Sequence, residues 1–124
     1  FKYVMLVNAL YGRNINTIII PAVMLHPPFY STELPWYMNF GGIATVIGHE
    51  ITHGFDNKGR YFNEIGKLEE WWDDSEIMAF YKRIQCVIDQ ANNYTLKGFE
   101  KGVGFKIYGL QTVDENIADM GGAK

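Results

Sequence analysis

VIGHEITHGFD, residues 46–56, carries two histidines four residues apart with a glutamate beside the first. On an α-helix, residues four apart lie on one face, about one turn apart. His49 and His53 can therefore ligate a single ion. Glu50 sits about 100° round the helix from His49, where it can reach a metal-polarised water without being a ligand. Two ligands and a general base from one turn is the logic of the H-E-x-x-H motif. Zinc suits imidazole nitrogens and brings the pKa of a bound water to about 7. The flanks strengthen the reading. From Trp36 to about Phe55 the sequence is apolar on nearly every face, which predicts a long helix buried on all sides. Burying a carboxylate and two imidazoles there without partners would cost on the order of several kcal/mol. A metal ion removes that difficulty.

A catalytic zinc needs a third protein ligand and an open position. The sequence offers Glu115 and Asp119, again four apart and so on one face of a helix. Either carboxylate can bind the metal, and the other can hold a ligating histidine through its free ring N–H. An acidic, solvated helix start is the plainer alternative. Asp56-Asn57-Lys58-Gly59 reads as a turn. It does not suit calcium, because Lys58 falls where an EF-hand loop needs an oxygen and the glycine is misplaced.

Outward from these motifs, residues 3–11 and 16–24 are rich in β-branched and aromatic side chains around Gly12-Arg13-Asn14 and predict an N-terminal β-hairpin. Pro21 pushes its second strand toward an edge or an early end. Ser31, Thr32 and Pro35 mark the start of the zinc helix. Residues 70–92 predict an amphipathic helix, with Asp73, Asp74 and Ser75 available as caps. Residues 93–111 read as a loop, with Lys97, Lys101 and Lys106 in solvent. A last helix is expected over 112–120, capped by Thr112 or Asp114. The fold class is thus α+β, mainly α. His26 in the His-Pro-Pro stretch reads as a loop residue, and Trp71-Trp72 as helix-start packing.

The 124 residues fit one ordinary domain. The net charge of −3 and the lack of a basic block argue against a nucleic-acid partner. No apolar run reaches the roughly 18 residues of a membrane span. The chain begins at Phe1 and stops just after a helical segment, and one helix buried on all sides needs more cover than these elements supply. A piece of a larger protein is therefore expected. Cys86, the single cysteine, reads either as a buried apolar thiol or as half of a disulfide. Asn93-Tyr94-Thr95 is an N-glycosylation sequon.

The stretches VNAL-Y (7–11), Ile20-Pro21-Ala22 through Pro27-Pro28-Phe29, NFGGIATVIGHEITHGFD (39–56), Gly59-Arg60, Trp71-Trp72 and ENIAD-GG (115–122) together resemble the neprilysin and endothelin-converting enzyme family of zinc endopeptidases. The resemblance covers almost the whole chain. It implies a thermolysin-like zinc-peptidase core, of which residues 1–124 would be part of the catalytic domain. It further implies one zinc ion on His49, His53 and Glu115, with Glu50 as general base and Asp119 orienting His49. Asn8 and Ala9 would form the edge-strand pair that binds the peptide backbone. Phe29 and Val46 would line the pocket for the residue after the cut bond. Peptide substrates, a cell-surface or extracellular location, a disulfide from Cys86 to a cysteine upstream of this chain and an N-glycan at Asn93 follow from the same resemblance. The chain departs from the family pattern at Asp114, where glycine is usual, and at Met120, where asparagine is usual. Thr45 and Met24 leave the substrate preference open. The family's transition-state histidine and substrate-binding arginine lie beyond Lys124, and its cleft-restricting helical portion lies upstream. The other reading is a truncated or degenerate chain that binds zinc or peptide without turnover.

Overall fold

A computed structural model describes residues 6–96 and 104–124. The hairpin forms, with short strands: β1 (Leu10–Gly12) pairs antiparallel with β2 (Thr17–Ile19) across a single 3-10 turn at Arg13–Ile15. Asn16 closes that turn in the left-handed region, and Pro21 ends the extended run before a 3-10 turn at Ala22–Leu25. Asn8 and Ala9 stand just ahead of β1 rather than within a paired strand. Residues 3–5 of the expected first strand lie outside the described residues.

The zinc helix starts later than the Ser31-Thr32 signal suggested and is interrupted. It comprises α1 (Trp36–Asn39), a π-helical turn (Phe40–Ala44) and α2 (Thr45–Thr52). Ser31 uses its hydroxyl in a local turn, accepting the Glu33 N–H at 3.2 Å, while its backbone N–H donates to Asn39 Oδ1 and its carbonyl accepts from Asn39 Nδ2. The π turn has a visible cause. The Ile43 N–H donates to the Phe29 carbonyl, at 2.8 Å, instead of to its own helix. Gly42 makes that approach possible, since a Cβ there would overlap the Phe29 carbonyl oxygen. The expected burial on all sides does not hold for this chain. Ile43 and Glu50 are buried, whereas Trp36 (71% exposed), Tyr37, Met38, Phe40, Ile51 and Phe55 face outward. The described elements cover one side of the helix and leave the other bare.

The second long helix, α3 (Asp74–Asn92), begins with a capping box in which Asp73 accepts from the Glu76 N–H and Glu76 accepts from the Asp73 N–H. Trp71 and Trp72 precede it, with Trp72 edge-on to Phe80. Cys86 is exposed on α3 and is not packed among the apolar side chains of this chain. The expected loop after α3 contains a two-residue ladder, β3 (Thr95–Leu96) with β4 (Phe105–Lys106); Lys97 and Lys101 lie outside the described residues. His26 is exposed in its loop.

The last helix, α4 (Gly109–Gly122), begins three residues before the expected start. No side chain of its own first turn caps it. Asn92, at the end of α3, supplies the acceptor instead, taking the Gly109 N–H at 2.8 Å. A tertiary partner thus replaces the local cap that Thr112 or Asp114 would have provided.

Helices α2 and α4 cross in very close, antiparallel contact, and glycine is what allows it. A Cβ on Gly122 would overlap the Thr45 carbonyl oxygen, one on Gly121 would overlap Thr52 Oγ1, and one on Gly48 would lie 3.0 Å from the Gly122 Cα. The carbonyl of Thr45 belongs to the helix backbone and cannot step aside. Gly122→Ala should therefore push the helices apart and destabilise the intact protein by about 1–3 kcal/mol, the usual range for overpacking. Thermal denaturation and chelator competition for zinc would both register it. Gly41→Ala, where a Cβ would meet nothing of this chain within 4 Å, should leave zinc affinity unchanged and should not lower thermal stability.

Candidate metal centre

The glycine-mediated crossing brings residues 49, 53, 115 and 119 together from two helices. Ligand atoms of His49, His53 and Glu115 all lie within 4.8 Å of one another. The two Nε2 atoms are 2.9 Å apart, and Glu115 Oε2 is 3.4 Å from His49 Nε2 and 3.6 Å from His53 Nε2. Four-coordinate zinc with bonds of about 2.0–2.2 Å keeps its ligand atoms about 3.3–3.6 Å apart. The three donors come near that spacing, with the two imidazole nitrogens slightly closer.

The ring protons decide what these atoms can do. His49 Nδ1 lies 2.8 Å from Asp119 Oδ1, and His53 Nδ1 lies 2.7 Å from Asp56 Oδ2. An ionised carboxylate only accepts hydrogen bonds, so each imidazole carries its proton on Nδ1. Both Nε2 lone pairs then point at one spot alongside a carboxylate oxygen. Without a cation that arrangement is repulsive, and with one it is a ligand set. Two nitrogens and one oxygen suit zinc.

Asp119 was legible in the sequence and Asp56 was not, because its Asp-Asn-Lys-Gly context reads as a turn. It is a turn, but one whose carboxylate is fully buried. Asp56 Oδ1 accepts the backbone N–H groups of Lys58 and Gly59, while Oδ2 accepts from His53 and from Arg13 Nη2. Burial alone would raise its pKa. The hydrogen bonds from Gly59, His53, Arg13 and Lys58 outweigh burial and hold it below the usual carboxylate value. Arg60, also missed, anchors this turn: it is buried, and it donates to the Tyr61 and Tyr81 hydroxyls and to Glu70. No spacing rule flags either residue, since both act through the folded turn.

Glu50 is buried on the same helix turn. Burial pushes its carboxyl above the ordinary range, against the opposing pull of His49 and His53. It lines a cavity of about 220 Å³ with Asn8, Ala9, Leu10, Tyr11, Arg13, His49, His53 and Glu115. The expected peptide-binding pair and the expected metal ligands thus face one space. Phe29 and Val46 are not part of that lining; both are half-buried, and Phe29 is engaged through its carbonyl with Ile43. Asp114 neither adds to the metal donors nor crowds them. It turns aside to pair with Lys58 at 3.0 Å.

Peptidase family M13 matches the chain over residues 8–124. Neprilysin-2 of Caenorhabditis elegans is 49% identical over 119 residues, which are 96% of this chain and 16% of that protein. Membrane metallo-endopeptidase-like 1 of Homo sapiens is 45% identical over 118 residues, 95% of this chain and 15% of that protein. The crystal structure of zinc metalloprotease ZMP1 from Mycobacterium tuberculosis in complex with an inhibitor superposes with a TM-score of 0.89 at 40% identity, covering 94% of this chain and 18% of that one. The chain therefore spans about one-sixth of the relatives it matches.

Asp56→Asn and Asp119→Asn each remove a carboxylate that fixes a ligating ring. Each should weaken zinc binding by about 10- to 100-fold, the usual consequence of losing such a partner. Competition against a calibrated chelator, with the substitutions made in the intact protein, would measure it. An unchanged zinc affinity would remove that carboxylate from the site.

Proposed function

From the premise that this chain belongs to peptidase family M13, we propose that it is part of the catalytic domain of a zinc-dependent endopeptidase acting on peptides. The observation that carries the reading is the convergence of His49 Nε2, His53 Nε2 and Glu115 Oε2, with both Nδ1 atoms held by carboxylates.

One zinc ion held by His49, His53 and Glu115 would supply Lewis acidity, acidifying a water and polarising the peptide carbonyl. The chain's own residues do the rest. Glu50, buried beside the ligands, takes the proton of the attacking water and hands it to the leaving nitrogen. Asp119 and Asp56 keep the two imidazoles turned. Asn8 and Ala9 hold the substrate backbone, as an added strand would be held. Phe29 and Val46 line the pocket for the residue after the cut bond, in an arrangement that involves parts of the protein outside this chain.

The same reading extends to the setting. A location at the cell surface or outside the cell agrees with the name of the human relative and with the sequon. Asn93 is exposed at the end of α3. Exposed Cys86 would pair with a cysteine outside this chain. No helix among the described residues is long and apolar enough to cross a membrane.

Glu50→Gln in the intact protein should abolish peptide hydrolysis, by at least about 100-fold, while one zinc ion per molecule is retained. A Glu50→Gln variant that cleaves as fast as the parent would take Glu50 out of the mechanism. A second reading, zinc or peptide binding without turnover, is favoured for the 124 residues alone. The Glu115 and Asp119 side chains are 67% and 74% exposed, leaving the site open to water. Expressed by itself, the chain should bind zinc and show no peptidase activity, with metal content and cleavage measured on one sample.

A further inference from the structure

Arg13 opens the turn of the hairpin, 43 residues from Asp56 in sequence, yet its Nη2 lies 2.7 Å from Asp56 Oδ2. That same oxygen is 2.7 Å from His53 Nδ1. The other oxygen accepts the Lys58 and Gly59 N–H groups, so four donors pin the carboxylate and it cannot rotate. Among the described residues this is the one ion pair between the hairpin and the rest of the chain. Arg13 also lines the cavity that Asn8 and Ala9 share with His49, Glu50, His53 and Glu115. Its charge is matched by Asp56, and it borders the space that residues 8 and 9 share with the metal ligands.

From this geometry we infer that Arg13 is a positioning residue: through Asp56 it locks the peptide-binding hairpin to the turn that orients His53. The inference rests on the peptidase reading in one respect, that Asn8 and Ala9 bind the substrate backbone. The physical reason is lever-like. β1 and β2 are three residues each, and a two-stranded ribbon of that length is marginally stable by itself. Its placement must come from tertiary ties, and a buried, doubly shared carboxylate is a stiff one. Asn16 adds a neutral tie by donating to the Glu64 carbonyl at 2.9 Å, but neither residue lines the cavity that holds the metal ligands. Releasing Arg13 would leave the metal donors in place and let residues 8 and 9 drift relative to them.

The test uses the intact, zinc-loaded protein with Arg13→Met, which keeps the apolar stem and removes the guanidinium. The expected result is a KM about tenfold higher, the weight of a lost backbone hydrogen bond or two, with kcat within about twofold and zinc content unchanged. A non-hydrolysable peptide should bind the metal-free variant more weakly by a similar factor, a readout that does not depend on turnover. Arg13→Lys, whose single ammonium can still reach Oδ2, should recover most of the loss. An Arg13→Met variant with unchanged KM and peptide affinity would overturn the inference. So would one whose defect is confined to zinc loss, or an Arg13→Lys variant as poor as Arg13→Met. If Arg13→Met fails to fold, Arg13→Gln is measured by the same criteria. An unsubstituted protein that cleaves no peptide would sink the peptidase reading, while the metal-free binding assay would still decide the role of Arg13.

Discussion

Two imidazole lone pairs held 2.9 Å apart, with a carboxylate oxygen facing both, are the constraint on which this structure turns. With both rings neutral these lone pairs repel one another and the carboxylate, so the fold must hold them together. It does so by occupying the far side of each ring. Asp119 takes His49 Nδ1 and Asp56 takes His53 Nδ1, which leaves Nε2 as the free nitrogen in both cases. Each carboxylate comes from a different element, so the tautomers depend on the packing of the whole core rather than on the zinc helix alone.

The helix crossing follows from the same requirement. Glu115 and Asp119 must come within hydrogen-bond or ligand distance of α2, which side chains at the contact would prevent. Gly48, Gly121 and Gly122 remove them. The π turn at Phe40–Ala44 belongs to this framework as well, because it is set by the Phe29 carbonyl inserting against Gly42. Behind the centre, buried Arg60 holds the 59–61 turn, Gly59 in that turn donates to Asp56, and Asp56 orients His53. The order runs from a buried cation to a ligand through short contacts.

The bare face of the zinc helix has a consequence for how the chain works. Trp36 and Phe40 remain 71% and 65% exposed, and the acidic members of the centre face solvent. Electrostatic interactions that would organise catalysis are weakened where water has free access. A chain that spans about one-sixth of its relatives therefore holds the metal-binding chemistry more completely than it holds the environment in which such chemistry is efficient.

By itself, the sequence determined the helix periodicity, the His49–Glu50–His53 turn, the Glu115–Asp119 pair and the hairpin, because these rest on spacing within one element, where a 3.6-residue or two-residue repeat is directly readable. A cap among Asp73, Asp74 and Ser75 was legible for the same reason, and the folded chain selects Asp73, with Glu76 as its reciprocal partner. What only the tertiary structure decided involves partners far apart in sequence or packed through a folded turn: Asp56 as the holder of His53, Arg13 reaching it across 43 residues, Asn92 capping α4, Asp114 diverted to Lys58, and the exposure of half the zinc helix. A turn sequence such as Asp-Asn-Lys-Gly specifies its own backbone, but whether its carboxylate faces water or a metal ligand depends on what the rest of the chain packs against it.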